Sequence, residues 1–261
     1  LEILVDLQEE KENQQHNMKK FPKRLVEAHR GAKGLVKFEN TIEAFEKAIE
    51  VNSDAVELDV RRTKDNVIIV RHDGDYKGVN ICDYNYDELK ALSLREEGFY
   101  MPTLEEVACR FHHRILLDVE LKEAGYEKDV LDILFKYLKP NEFYIRSFNI
   151  KALRAVKKIN KEVPTALLLG SVSFKKPFRL LSIVFPLGRI MYTKCNFVSP
   201  HYRLLKLGFK MRMRILRKPI LVWTVNDKPL MKKLLIDKKI DGVVTNYPNL
   251  AMEVLKENNI R

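Results

Sequence analysis

Four short pieces of this 261-residue chain place acidic and basic groups where apolar strands end: Ala28-His29-Arg30-Gly31, Glu57-Leu58-Asp59, His72-Asp73 and Glu120-Leu121-Lys122. Glu57 and Asp59 interrupt the run Ala55-Val56-Glu57-Leu58-Asp59-Val60, and His72 closes Val67-Ile68-Ile69-Val70-Arg71. Strand interiors rarely carry carboxylates, because a buried charge without a partner is strongly unfavourable. Three carboxylates, two imidazoles, a guanidinium and an ammonium in such places suit metal-assisted phosphate chemistry.

Glu57 and Asp59 stand two apart on one strand, so their side chains share a face. Glu120 takes a similar position on the next barrel strand, with Lys122 two residues further along. Three inward carboxylates without Cys or His form a hard, all-oxygen site for Mg²⁺ or Ca²⁺. Taken alone, the cluster fits equally well as buried ion pairs in which Arg61 and Lys122 neutralise the acids. His29 and His72 weigh against that reading. Each ends a strand, and a pair of imidazoles can take and return a proton across one phosphorus. A single histidine there would more often be structural. Arg30 offers a forked donor for phosphate oxygens, or else a surface ion pair.

The elements that must hold these groups are legible as alternation. Strand-like runs fall near 24–28, 55–61, 114–121, 143–147, 165–169, 197–199, 220–225 and 241–245, with helical patterns between most of them. Ile42, Phe45, Ala48 and Ile49 share one helical face, as do Val130, Ile133, Leu134 and Tyr137. Asn40-Thr41 supplies a capping oxygen, with Glu43 and Glu46 near the positive helix end. Eight such strands in roughly 240 residues predict an α/β fold, a closed (β/α)8 TIM barrel, whose active site lies where the strands end. An open doubly wound sheet would carry a glycine-rich phosphate loop after its first strand, and Gly31-Ala32-Lys33-Gly34 is not one.

A ninth run, 67–72, should fold back antiparallel on 57–62 after the turn Thr63-Lys64-Asp65-Asn66. With a four-residue loop, Asp59 faces Val70 and Glu57 faces His72; a loop one residue different turns His72 away. From Asp73 to Pro102 periodicity is weak, and the chain is read as a small excursion over the rim between barrel strands 2 and 3, before a helix over 103–111. The domain reading is a peripheral segment over 1–20 and a single barrel over 21–261.

The net charge of +11 points to anionic partners. It is unevenly spread: 17 Lys/Arg and one acid, Glu162, lie between Lys151 and Lys218. Within that region Phe174 to Tyr192 and Lys206 to Lys218 alternate cations with apolar side chains, as suits peripheral contact with an anionic membrane. An outer barrel helix, apolar inward and cationic outward, accounts for Leu180–Val184 by packing alone. Nucleic acid is not expected: only Tyr192, Phe197, Tyr202 and Phe209 could stack on bases, and no nucleic-acid motif appears. Three cysteines without metal or disulfide spacing suit a reducing, cytoplasmic compartment. No apolar run approaches the ~20 residues of a membrane span. The opening Leu1–Leu7 is too acidic and too short for a secretory signal; the first residue is not methionine, and Met18 could be an internal start.

In combination these pieces resemble the glycerophosphodiester phosphodiesterase family. His29-Arg30-Gly31, Glu39-Asn40-Thr41, Glu57-Leu58-Asp59-Val60, Thr63-Lys64-Asp65, His72-Asp73, Pro102-Thr103-Leu104-Glu105-Glu106, Glu120-Leu121-Lys122 and Trp223-Thr224-Val225-Asn226 stand in the family's order, from about Leu25 to Pro248. The resemblance implies a barrel hydrolase of lipid and glycerol metabolism that splits glycerophosphodiesters into glycerol phosphate and an alcohol with one divalent cation, Mg²⁺ or Ca²⁺. It implies Glu57, Asp59 and Glu120 as metal ligands, His29 and His72 as the acid/base pair, and Arg30 and Lys122 on the phosphate. Trp223 would line the pocket for the glycerol moiety; from composition it is equally a core tryptophan. Rival readings are a lysophospholipase D-type enzyme at a membrane surface, acting on lysophospholipids, and a non-catalytic anion-binding module. Three positions depart from the family's pattern: Phe38 stands where proline is usual, Asp75-Tyr76-Lys77-Gly78 replaces an Arg-Thr-Thr stretch, and Asn246 replaces a frequent aspartate. None of the three is expected to touch a proposed ligand or proton carrier. The first two bear on the shape of the substrate pocket.

Overall fold

β-branched, apolar runs separated by amphipathic helices leave a chain one economical solution: parallel strands inside, helices outside. The computed structural model describes residues 24–170, 185–206 and 208–261. Its elements run β1 (Leu25–Ala28), α1 (Ile42–Glu50), β2 (Ala55–Arg62), β3 (Ile68–Val70), β4 (Asp75–Tyr76), β5 (Val79–Asn80), α2 (Tyr86–Glu97), α3 (Leu104–Phe111), β6 (Leu116–Leu121), α4 (Glu127–Tyr137), β7 (Phe143–Ser147), α5 (Ile150–Ile159), β8 (Thr165–Leu169), α6 (Leu187–Thr193), β9 (Phe197–Pro200), α7 (Phe209–Ile215), β10 (Leu221–Val222), α8 (Lys228–Lys232), β11 (Gly242–Thr245) and α9 (Pro248–Glu257). The parallel order is β10-β11-β1-β2-β6-β7-β8-β9. Bridges Val198↔Ile220 and His201↔Trp223 join β9 to β10 and close the ring. The expected eight-stranded barrel is thus present, each strand within a few residues of its predicted span. The proposed segment 1–20 lies outside the described residues.

The main core is the layer between strands and helices. Phe45 and Ala48 of α1 pack there with Val56 and Leu58, as do Val130 and Leu134 of α4. Thr41 accepts the Ala44 N–H at 3.2 Å, the cap anticipated before α1. Inside the barrel, polarity rises along the strands. The lower layer is apolar: Leu25, Ala55, Tyr144, Ala166, Phe197, Leu221 and Val244. Above it the inward positions turn ionic, as in the Leu116, Asp118, Glu120 alternation of β6.

One local expectation needs correction. The turn after β2 is longer than four residues: Thr63 donates its N–H to Val67 O at 3.0 Å, and Asn66 takes a left-handed φ of +64°. The register therefore slips by one, so that Val60 faces Val70 and Arg61 faces Ile69. Glu57 and His72 are not cross-strand partners, because β3 ends two residues before His72. The excursion between β2 and β6 also holds the two-stranded hairpin β4–β5 and a 12-residue helix, α2. Only Leu89 and Ser93 of α2 are buried, which is why periodicity did not announce it. Its start was marked by Asn85-x-x-Glu88, where the Glu88 carboxylate accepts the Asn85 N–H at 2.8 Å. Ile69, Tyr76, Ile81, Leu89 and Met101 form a small satellite core that fixes the excursion on β3.

Candidate active site

Glu57 and Asp59 point inward from β2, and the parallel register sets Asp59 beside Glu120 of β6. One oxygen from each of the three carboxylates lies within 4.8 Å of the others, and all three residues are buried. Lys122 Nζ stands 2.7 Å from both Asp59 Oδ1 and Glu120 Oε1. Arg30 Nε is 3.3 Å from Asp59 Oδ2, and Arg30 donates its backbone N–H to Glu57 Oε2 at 2.8 Å. The five sequence-selected groups Arg30, Glu57, Asp59, Glu120 and Lys122 thus form one cluster. Arg61, expected among the neutralising cations, leaves it: its guanidinium pairs with Glu123 and donates to the His72 carbonyl at 2.8 Å. Arg30 takes that place.

The His29-Arg30-Gly31 turn makes this possible through two successive left-handed residues, Arg30 (φ +52°) and Gly31 (φ +79°). A Cβ on Gly31 would meet Ala44 Cβ at 2.5 Å, so only glycine fits against α1. The turn aims both backbone N–H groups at Glu57, since Gly31 donates to Glu57 O at 3.2 Å. Asn40, buried and also left-handed (φ +57°), donates from Nδ2 to Asp59 Oδ2 at 2.8 Å. Glu39 accepts from Arg30 Nη1 at 2.7 Å and fixes the guanidinium. The motif Glu39-Asn40-Thr41 was read in the sequence as a cap and as part of the family's pattern; its first two residues also orient the site.

Electrostatics divide the carboxylates. Burial opposes ionisation of Asp59, but Lys122 and Arg30 hold its carboxyl down to about 2. Burial and the Asp59 charge push Glu57 well above the usual carboxylate range, and burial raises Glu120 against the pull of Lys122. Three carboxylates within 4.8 Å exceed what the two cations beside them can compensate. An all-oxygen set with this surplus of negative charge fits a hard divalent cation.

His29 follows β1 and bonds through Nδ1 to Asn246 Oδ1 at 2.7 Å. Asn246 is held in turn, its backbone N–H donating to Asn226 Oδ1 at 2.9 Å. Burial, then the Arg30 charge, lowers His29 to about 4, so the ring is neutral near pH 7. With Asn246 accepting at Nδ1, Nε2 is the free proton acceptor. Asn246 therefore does touch a proposed proton carrier, contrary to expectation, because β11 pairs with β1 when the barrel closes.

His72 lies beyond β3, about a third exposed, with Nδ1 2.7 Å from Asp73 Oδ1. It makes no hydrogen bond to the three carboxylates. The hydrogen bond from His72 holds Asp73 below the usual carboxylate range, helped by the Arg71 and Arg30 charges. Trp223 continues β10 at the opposite wall, donating Nε1–H to Ser199 O at 2.7 Å, with Phe148 and His201 edge-on to its ring.

Beneath the cluster lies a second ionic group that the sequence reading passed over. Arg146 Nη2 meets Glu27 Oε1 at 2.5 Å and pairs with Asp118, while Tyr144 donates its hydroxyl to Glu27. All four residues are at most 2% exposed. Asp118 and Glu27 carried the same signal as Glu57, a carboxylate inside an apolar strand.

A sequence profile of the Glycerophosphoryl diester phosphodiesterase family matches residues 29–250. A Bacillus subtilis protein described as a putative glycerophosphodiester phosphodiesterase is 31% identical over 257 residues, covering 89% of this chain and 98% of its own. The crystal structure of a glycerophosphodiester phosphodiesterase from Parabacteroides distasonis superposes with a TM-score of 0.76 at 27% identity, covering 91% of this chain and 99% of the other. A human lysophospholipase D is 25% identical over 236 residues, covering 80% of this chain and 71% of that protein.

Proposed function

This chain belongs to the glycerophosphoryl diester phosphodiesterase family, whose members are phosphoric diester hydrolases acting on glycerophosphodiesters; from that premise we propose that Glu57, Asp59 and Glu120 hold one divalent cation, Mg²⁺ or Ca²⁺, while His29 and His72 exchange protons across the phosphorus. The supporting observation is the buried carboxylate trio within 4.8 Å, ringed by Arg30 and Lys122. The bound cation supplies Lewis acidity toward a non-bridging phosphate oxygen.

The remaining steps belong to side chains. Arg30 and Lys122 offset negative charge on the phosphate as it grows in the transition state. Neutral His29 takes the nucleophile's proton at Nε2, whether that nucleophile is water or the glycerol 2-hydroxyl. As the P–O bond to the alcohol breaks, His72, oriented by Asp73, gives a proton to the leaving oxygen. Trp223, with Phe148 edge-on, offers a face to the glycerol carbons. Treatment with EDTA should abolish turnover of a glycerophosphodiester panel, with recovery on adding Mg²⁺ or Ca²⁺; indifference to chelator removes the cation. His29→Ala and His72→Ala should each lose about 100-fold or more in turnover, and near wild-type rates in both would end the acid/base assignment.

A cytoplasmic protein that meets an anionic membrane, with lysophospholipids as further substrates, is the accompanying reading. Among the described residues no helix is long and apolar enough to cross a membrane. Leu187, Met191 and Tyr192 of α6 and Met211 and Ile215 of α7 are exposed, and a groove of about 270 Å³ runs between Phe185, Leu187, Met213 and Leu216. Arg212 lies over the Phe185 ring at 4.5 Å. Apolar side chains set among cations favour an anionic interface. Co-sedimentation with phosphatidylserine vesicles should exceed that with phosphatidylcholine vesicles; equal, weak binding removes the idea.

A further inference from the structure

A pocket of about 290 Å³ opens beside the catalytic cluster, walled by the loop before α1 and by the excursion after β3. Phe38 and Phe99 form its apolar side, their rings stacked with centroids 4.4 Å apart. Its polar side carries Lys33, Lys37, Glu39, Arg71 and Glu97. The pocket shares a wall with the active site. Glu39 is the residue that fixes Arg30, and Arg71, next to His72, donates its backbone N–H to Asp59 O at 2.8 Å.

The charges in this wall are not equally engaged. Lys33 is paired with Glu39, and Glu97 has Lys77 at 3.6 Å. The Lys37 ammonium sits 4.7 Å above the Phe38 ring, and no carboxylate pairs with it among the described residues. Arg71 lies over the Tyr76 ring, reaches Asp73 only at 4.0 Å, and keeps a buried Nε without a hydrogen-bond partner. Every acid in the wall is therefore answered, while two cationic donors remain available. A ligand carboxylate entering the pocket would meet two cations that no carboxylate of the wall holds at hydrogen-bond distance.

We propose that this pocket receives the leaving alcohol of the diester and selects alcohols that carry a carboxylate, bound by Lys37 and Arg71 with its carbons against Phe38 and Phe99. The inference rests on the hydrolase reading above and adds the substrate class. Phe38, the departure from the family's usual proline, builds one of its faces.

Glycerophosphoserine and glycerophosphoethanolamine differ only by a carboxylate and make the test. Wild-type kcat/KM for the seryl diester should exceed that for the ethanolamine diester by about tenfold, the order expected when a site's polar donors would otherwise stay unpaired. Lys37→Gln should collapse that ratio toward one, through KM for the seryl substrate. Equal rates for the two diesters, or a Lys37→Gln effect that is the same on both, would overturn the proposal. Turnover of neither diester would instead remove the hydrolase reading. Calorimetric titration of the two diesters would then decide the pocket: tighter glycerophosphoserine binding that Lys37→Gln abolishes upholds it, and equal binding overturns it.

Discussion

Replacing Asn246 by aspartate changes one atom next to the proposed base and should move the enzyme's acid limit. His29 stays neutral down to about pH 4 because it is buried beside Arg30, and its Nδ1 partner at 2.7 Å is an uncharged amide. A carboxylate there would stabilise the imidazolium. At a charge separation of about 4 Å and an effective dielectric of about 20, the attraction is about 4 kcal/mol. Measured shifts from one opposite charge run about 1–3 pK units. An Asn246→Asp variant should then titrate His29 near pH 6, about two units higher. The sign follows from the role: a base must be unprotonated, so raising its pKa removes activity on the acid side. At pH 5 the neutral fraction would fall from about nine-tenths to about one-eleventh, a loss of about tenfold in kcat/KM, while rates at pH 8 stay close. The assay is kcat/KM from pH 4 to 9, with NMR titration of the His29 ring as the direct readout. If the ring titration moves and the acid limb of the rate does not, His29 is not the base. If neither moves, the Asn246 contact is absent in solution.

Three further outcomes follow from the same geometry. Arg146→Met would strand Glu27 and Asp118 without their cation inside the barrel, so thermal unfolding should show a loss of about 3–5 kcal/mol; a change under 1 kcal/mol would mean that those acids fold protonated. Glu57 and Glu120, raised by burial, must shed protons before they bind a cation, so Mg²⁺ or Ca²⁺ affinity measured by calorimetry should weaken as pH falls from 8 to 5. Constant affinity across that range would place the metal elsewhere. Gly31→Ala forces a Cβ onto Ala44 at a positive φ and should lower both stability and metal affinity, whereas an unchanged melting temperature would show that the turn relaxes freely.

Much of this protein is written locally. Period-two alternation fixes Glu57 and Asp59 on one face of one strand wherever that strand goes, and eight β-branched runs with helices between them admit few folds besides a barrel. Burial then makes inward carboxylates expensive enough to stand out, so Glu120 and Lys122 were legible as well. Other features depend on pairings that no local pattern encodes. The β2–β3 register turned on Asn66 adopting a left-handed conformation, which lengthened the loop by a residue and released His72 from the pleat. Arg30 rather than Arg61 compensates Asp59, because a glycine-dependent turn swings it over the barrel mouth while Arg61 is drawn to Glu123. Asn246 meets His29 across 217 positions of sequence only because the last strand closes on the first. Strand faces follow from the stereochemistry of consecutive residues, whereas the partner of a polar side chain is chosen by whichever distant segment the closed sheet brings within about 3 Å of it.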